Sequence, residues 1–290
     1  MSEIKIAITG ANGQLGKELR LLADAYPQFD FFFVSKEDLP IDDEKKVSLF
    51  FQTLKPAYCI NCAAYTAVDK AETDQQTAFK INAEAVGLVA SACKSQHTKL
   101  IHISTDYVFD GNSSIALKEN EATKPVNGYG ASKLRGEELA LRNNEATIII
   151  RTAWLYSEFG NNFVKTMIRL MREKESINVV NDQIGSPTYA GDLANAIMQI
   201  ISSRKFVPGI YHYSNEGRIS WYDFAVAIKE LIHSHCRINA IPSSAYPTAA
   251  KRPRFSLLDK TKIKSIYGIE IPEWKSSLIR CLNQLKKSEV

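Results

Sequence analysis

Residues 4 to 151 alternate without a break between short apolar runs and helix-period segments. Only a layered α/β fold accommodates that rhythm. The runs at 4–8, 29–34, 58–62, 100–104 and 146–151 read as strands. The stretches 14–25, 44–54, 71–94 and 128–142 read as helices, the second stopped before Pro56. The spacing predicts a doubly wound parallel sheet of Rossmann type, with right-handed crossovers and helices on both faces. Beyond Arg151 the rhythm loosens: helix at 163–173, strand at 177–180, helix at 192–202, strand at 210–214, helix at 221–234. The remainder carries Pro242, Pro247, Pro253 and Pro272. No repeat, low-complexity tract or flexible linker interrupts the chain, so a smaller second lobe packs directly on the first.

Composition narrows the class. A chain of 290 residues can bury a large core, and 45% hydrophobic with 23% charged residues excludes collagen, disordered and disulfide-scaffold chains. A net charge of +4 is too even for a dedicated nucleic-acid binder. No segment reaches the ~18 apolar residues of a membrane span, and the start lacks the charged and apolar regions of a secretion signal. Five cysteines, an odd count, suit free thiols in a reducing compartment. Together these readings predict a cytoplasmic protein that binds neither membrane nor nucleic acid.

The first strand runs into Thr9-Gly10-Ala11-Asn12-Gly13-Gln14-Leu15-Gly16, which opens the first helix. Glycines at 10, 13 and 16 permit a tight turn and let backbone N–H groups approach a pyrophosphate at a helix N-terminus. The spacing predicts dinucleotide binding. The second strand ends Phe33-Val34-Ser35-Lys36, with no acid at its tip to select NAD. Ser35 and Lys36 can meet a ribose 2′-phosphate, although Glu37 and Asp38 lie just beyond. NADPH is the expected cofactor, with NADH also accepted.

Ser104-Thr105-Asp106 ends the fourth strand, and Tyr129 and Lys133 stand at i, i+4 on one helix face. Ketone reduction needs an acid for the nascent alkoxide. A lysine ammonium and an oxidised nicotinamide close by are expected to favour the tyrosinate and lower its pKa. Thr105 can add a hydrogen bond to the carbonyl oxygen.

These residues resemble the extended short-chain dehydrogenase/reductase family, and over nearly the whole chain its dTDP-4-dehydrorhamnose reductase branch. The strings that carry the likeness are Ala63-Ala64-Tyr65-Thr66-Ala67-Val68-Asp69-Lys70-Ala71-Glu72, Ser104-Thr105-Asp106-Tyr107-Val108-Phe109, Tyr129-Gly130 with Ser132-Lys133-Leu134, and Arg151-Thr152-Ala153-Trp154. Asn161-Asn162-Phe163, Asp182-Gln183 with Gly185-Ser186-Pro187-Thr188, and Lys251-Arg252-Pro253 complete them. The resemblance implies Tyr129 as proton donor, Lys133 as its partner and ribose ligand, and Thr105 as the tuner of proton transfer. It implies Gly10, Asn12, Gly13, Gln14 and Leu15 around the pyrophosphate, Asp42 and Asp43 near the adenine, and Ala63, Ala64 and Tyr65 along the cofactor's middle. Val68, Glu72, Asp106, Tyr107 and Trp154 would shape the sugar pocket, with Arg252 a candidate for the substrate diphosphate.

The implied substrate is a dTDP-linked 4-keto-6-deoxy sugar, dTDP-4-dehydro-L-rhamnose, and the implied assembly a monomer or homodimer. The implied domains are a cofactor-binding domain at 1–155 and 189–215 and a substrate-binding lobe at 156–188 and 216–290. Related dehydratases carry Thr-Asp-Glu; here Tyr107 follows Asp106, which argues against water loss. Two alternatives stay open: a dinucleotide-binding regulatory subunit of the methionine adenosyltransferase type, and a reductase of another 4-keto-6-deoxy sugar nucleotide. Some relatives use a divalent metal at a dimer contact. Glu18 could serve such a site, which leaves Mg2+ undecided. Cys59-Ile60-Asn61-Cys62 lies on an expected buried strand with no second pair nearby, so it reads as structural. His233 and His235 read as a helix end.

Overall fold

The computed structural model describes residues 4–288. The outer limits of the expected domains, Met1–Glu3 and Glu289–Val290, lie outside the described residues. In chain order the principal elements are β1 (Ile4–Thr9), α1 (Gln14–Leu22), β2 (Phe29–Val34), α2 (Glu44–Leu54), β3 (Tyr58–Asn61), α3 (Gln75–Phe79), α4 (Ala85–Ser95), β4 (Lys99–Thr105), α5 (Gly128–Asn143) and β5 (Thr147–Thr152). There follow α6 (Phe163–Glu173), β6 (Ser176–Val180), α7 (Ala190–Ser202), β7 (Gly209–Tyr213), α8 (Trp221–Leu231), β8 (Arg237–Ile241), α9 (Thr261–Tyr267) and α10 (Trp274–Ser288).

Six strands form one parallel sheet in the order β7-β5-β4-β3-β1-β2. Alternate residues face opposite sides. Ile6, Ile8, Ile60, Ile101, Ile148 and Ile150 pack towards α1, α7 and α9. Cys59, Leu100 and Ile149 pack towards α2, α4 and α5. Burial on both faces explains why these strands read as continuous apolar runs. The connection out of β1 runs to β2 on one side, while β3 lies on the other. The topological switch point therefore falls at the carboxyl ends of β1 and β3, the place where ligands of such sheets bind.

A second core joins α6, α8 and α10 through Val164, Met167, Phe224, Ile228, Leu278 and Leu282. It is flanked by the parallel pair β6–β8. Among the described residues no helix is long and apolar enough to cross a membrane.

Three differences from the expected elements stand out. The helix expected at 71–94 begins instead with a tight turn at Lys70–Glu72, and α3 and α4 are joined by a π-helical turn at Lys80–Glu84. α8 stops at Leu231 rather than 234, with His233 beyond it in a left-handed conformation (φ 55°). Beyond it β8, α9 and α10 all form. The four prolines punctuate this region without preventing helix, because they fall between its elements.

Candidate active site

Gly10 adopts φ +67°, and a Cβ there would lie 2.6 Å from the Ala63 backbone nitrogen. Only glycine lets the β1 and β3 loops approach this closely. Ala11 N–H donates to Val34 O (3.2 Å), tying the same loop to the tip of β2. Gly13 is the N-cap of α1; no side chain caps that end and no acid lies in its first turn. Its free N–H groups and positive dipole end suit a pyrophosphate, so the loop from Gly10 to Gly16 fits a dinucleotide. Gln14, on that first turn, accepts a hydrogen bond from Asn162 Nδ2 (2.9 Å). Asn162 Oδ1 in turn caps α6 by accepting from Lys165 N–H (3.1 Å).

The adenosine side is less open than its sequence suggests. Ser35 is buried and closes a turn: its N–H donates to Asp38 (2.9 Å), and its hydroxyl engages Asp38 and Glu37. Lys36 is exposed. Asp42 pairs with Lys80 (2.6 Å), and the Asp43 carboxylate caps α2.

The catalytic candidates sit where β4 ends against α5. Thr105 Oγ1 accepts from Tyr107 N–H (3.2 Å) and donates to Asp106 Oδ1 (3.0 Å). α5 is anchored at its start: Asn127 Oδ1 accepts from Gly130 N–H, and Glu72 Oε1 accepts from Gly128 N–H, both at 2.7 Å. Gly130 has no side chain because a Cβ would collide with the Tyr107 carbonyl. Tyr107 meets the Tyr129 ring edge-to-face at 5.7 Å.

Burial pushes the Tyr129 phenol up to about 12, the Asp106 charge adds to the rise, and a hydrogen-bonding contact with Thr105 opposes it. The expected lowering joins Lys133 to an oxidised nicotinamide; in the chain alone burial governs the phenol. The lysine nitrogen is instead held by Ile103 O (2.7 Å) and His102 Nε2 (3.3 Å), and burial brings it down to about 8. Asp106 is lifted to about 6 by burial, against hydrogen bonds from Ser256 and Thr105.

The remaining candidates divide. Ala63 follows β3 beneath Gly10, with Ala64 next to it. Tyr65 is gripped at both backbone groups by Asn82, whose Oδ1 accepts from Tyr65 N–H (2.8 Å) and whose Nδ2 donates to Tyr65 O (2.9 Å). Val68 is half-buried beside Asp69. The Glu72 carboxylate holds the α5 end. Arg252 is bound bidentately by Asp69 (2.7 and 3.0 Å), so its fork is engaged, and neighbouring Lys251 O accepts from Asn127 Nδ2 (2.8 Å). Trp154, with a left-handed backbone (φ 49°), stacks on Trp221 at 3.7 Å and packs on Gly185.

Asn82, Asn61 and His102 escaped the sequence reading. Asn82 lies in the π-turn, which a helical pattern does not reveal. The other two are polar residues inside apolar strands, which was the available signal. Glu18 stands apart. It is buried beside Glu158, and burial, then a hydrogen bond with that carboxylate and its charge, raise it far above the carboxylate range. Among the described residues no group of three or more His, Cys, Asp or Glu could hold a metal ion. Cys59 and Cys62 are free thiols.

Comparison with known proteins places this geometry. The family described as RmlD substrate binding domain matches residues 4–287. A dTDP-4-dehydrorhamnose reductase of Aggregatibacter actinomycetemcomitans is 40% identical over 284 residues, covering 94% of this chain and 97% of that one. The crystal structure of a dTDP-4-dehydrorhamnose reductase from Clostridium acetobutylicum superposes with a TM-score of 0.93 at 39% identity, covering 97% of this chain and 99% of that one. That of the Bacillus anthracis dTDP-4-dehydrorhamnose reductase in complex with NADP gives 0.94, with the same identity and coverage. With a match that spans the sheet, the glycine loop and both cores, the chain belongs to the RmlD substrate-binding-domain family.

Proposed function

We propose that the chain reduces the C4 ketone of dTDP-4-dehydro-L-rhamnose to dTDP-L-rhamnose, a step of dTDP-rhamnose biosynthesis. The observation that carries this reading is the convergence of Thr105, Tyr129 and Lys133 beside an uncapped glycine loop, in a chain whose relatives bear that name. Cofactor binding is assigned to residues 1–155 with 189–215 and sugar binding to 156–188 with 216–290, corrected at α9, which lies in the second stretch but packs through Ile263 into the sheet core and so belongs with the first part. NADPH, when bound, supplies the hydride to C4.

The chain's own residues do the rest. A phenol at about 12 stays protonated at neutral pH, so Tyr129 arrives as the donor that the developing alkoxide needs. Thr105 gives its single hydroxyl proton to Asp106 Oδ1 in the chain alone and can hydrogen-bond the same oxygen by releasing that carboxylate. Lys133 is fixed beside the end of β4, one helical turn from Tyr129, within reach of a ribose. Gly10, Asn12, Gly13, Gln14, Leu15 and Gly16 hold the pyrophosphate, Ala63 to Tyr65 flank the cofactor's middle, and Trp154 offers an indole face to the deoxy sugar. Tyr107, in place of a second acid, leaves no base for dehydration.

The test is NADPH oxidation by the purified protein alone, across a panel of 4-keto-6-deoxy sugar nucleotides. Fastest turnover with the dTDP-4-dehydro-L-rhamnose substrate supports the reading. A different preferred sugar redirects it, and binding of dinucleotide without oxidation of any substrate would return it to the regulatory-subunit alternative.

A further inference from the structure

Behind Lys133 runs a fully buried polar chain that the reaction above does not use. Asn61, at the end of β3, and His102, inside β4, are both 0% exposed. Asn61 Oδ1 accepts from Ala63 N–H (3.3 Å) and from the Thr9 hydroxyl (2.6 Å). A backbone N–H can only donate, so the amide oxygen must face it, and the Asn61 amide nitrogen must face the other way. That nitrogen lies 3.1 Å from His102 Nδ1. An amide NH2 also only donates, so Nδ1 must carry its lone pair. A neutral imidazole then has its single proton on Nε2. Nε2 lies 3.3 Å from Lys133 Nζ.

From this order of donors and acceptors we infer that His102 is a positioning residue. It is locked as the Nε2–H tautomer, directs that N–H at Lys133, and thereby favours the neutral amine over the ammonium. An ammonium has no lone pair to receive the proton, whereas a neutral amine receives it and still donates to Ile103 O. An imidazolium would set Nδ1–H against the Asn61 NH2, and burial independently holds His102 well below its ordinary value.

The other groups bearing on Lys133 are Cys62, from the loop after β3, and Glu137, one turn along α5. Both favour the ammonium. Burial drives the Cys62 thiol up, so it stays uncharged, and Glu137 is tied to Arg151 (2.7 Å), so neither dominates. Burial and the polar residues on three strands of the sheet therefore act on Lys133 against the pull of Glu137 on its own helix. The meaning of this control for catalysis rests on the reductase reading; the tautomer does not.

Side-chain nitrogen NMR of the unliganded wild-type protein tests it. The expected result is His102 with protonated Nε2 and bare Nδ1 throughout the neutral range. An Nδ1–H tautomer or an imidazolium overturns the inference without any variant. In His102→Leu, loss of the opposing N–H should raise the proton affinity of Lys133 about tenfold. That change would be read from the Lys133 Nζ titration and, where turnover is present, from the alkaline limb of kcat/KM. An unchanged or lowered affinity also overturns the inference. A protein that turned over no keto-sugar would still report its tautomer, so the two readings fail separately.

Discussion

The two walls of the site are built differently. The chemical wall is one strand end and one helix start: Thr105, Tyr129 and Lys133 lie within 29 positions of each other and are backed by buried polar pairs. Arg151 and Glu137 form one such pair, each 2% exposed at the side chain, with Ser104 donating to the same carboxylate. The wall proposed for the sugar is gathered from positions distant in sequence. Asp69 meets Arg252, Asp106 meets Ser256, and Trp154 meets Trp221 and Gly185. On the proposed reading the reactive residues are placed by local spacing on rigid elements and the sugar contacts by long-range meetings, with Asp106, which accepts from Thr105, belonging to both.

That contrast can be broken in order of expected effect. Tyr129→Phe should keep cofactor affinity and lower kcat by about 10²–10⁴-fold; near-normal kcat would remove Tyr129 from the chemical wall. Arg151→Met strands the Glu137 carboxylate in the core. It should cost about 3–5 kcal/mol in denaturant unfolding, as breaking one side of a buried pair does. A loss within the range of surface substitutions would mean the wall is not braced there. Trp154→Ala should raise KM for the keto-sugar about tenfold, with NADPH affinity nearly unchanged, since one aromatic face is worth on the order of 1 kcal/mol. Collapse of cofactor affinity instead would assign the residue to packing.

A gentler test concerns Glu18. The native state keeps a proton on this carboxyl that the unfolded chain releases near 4.5, so stability falls as pH rises from there past neutral. Glu18→Gln should leave Tm unchanged at acid pH and raise it by about 2 °C at mildly alkaline pH. An equal shift at both would exclude the titration. The smallest effect belongs to Lys36. It is exposed, and its neighbour Ser35 is engaged by Glu37 and Asp38. Lys36→Ala should therefore shrink the NADPH-over-NADH ratio of kcat/KM by about two- to fivefold, the range of a solvated charge contact. An unchanged ratio would locate cofactor choice elsewhere.

The same contrast governs what could be read from the chain. The strands of the first half and the Tyr129–Lys133 pair follow from periodicity and i, i+4 spacing, which are properties of neighbours. The π-turn that carries Asn82, the engagement of Arg252 by Asp69, and the cap that Glu72 gives α5 depend on residues 50 or more apart meeting in space. Tyr129 itself was legible, but its raised pKa was not, because burial sets it while the lysine nitrogen is held by Ile103 O and His102. In the last fifty residues, α10 hides its Leu278, Cys281, Leu282 and Leu285 stripe behind proline-rich connections. There the pattern was present and the punctuation obscured it.

The hydrogen bond from Asn162 to Gln14 joins the first turn of α1 to the capping residue of α6. One partner belongs to the loop that suits a pyrophosphate, and the other begins a helix of the second core. Any ligand that strengthens or loosens this contact at one end changes the free energy available at the other. By linkage, the factor by which nucleotide binding alters affinity for the sugar must equal the factor by which the sugar alters affinity for the nucleotide, whichever arrives first.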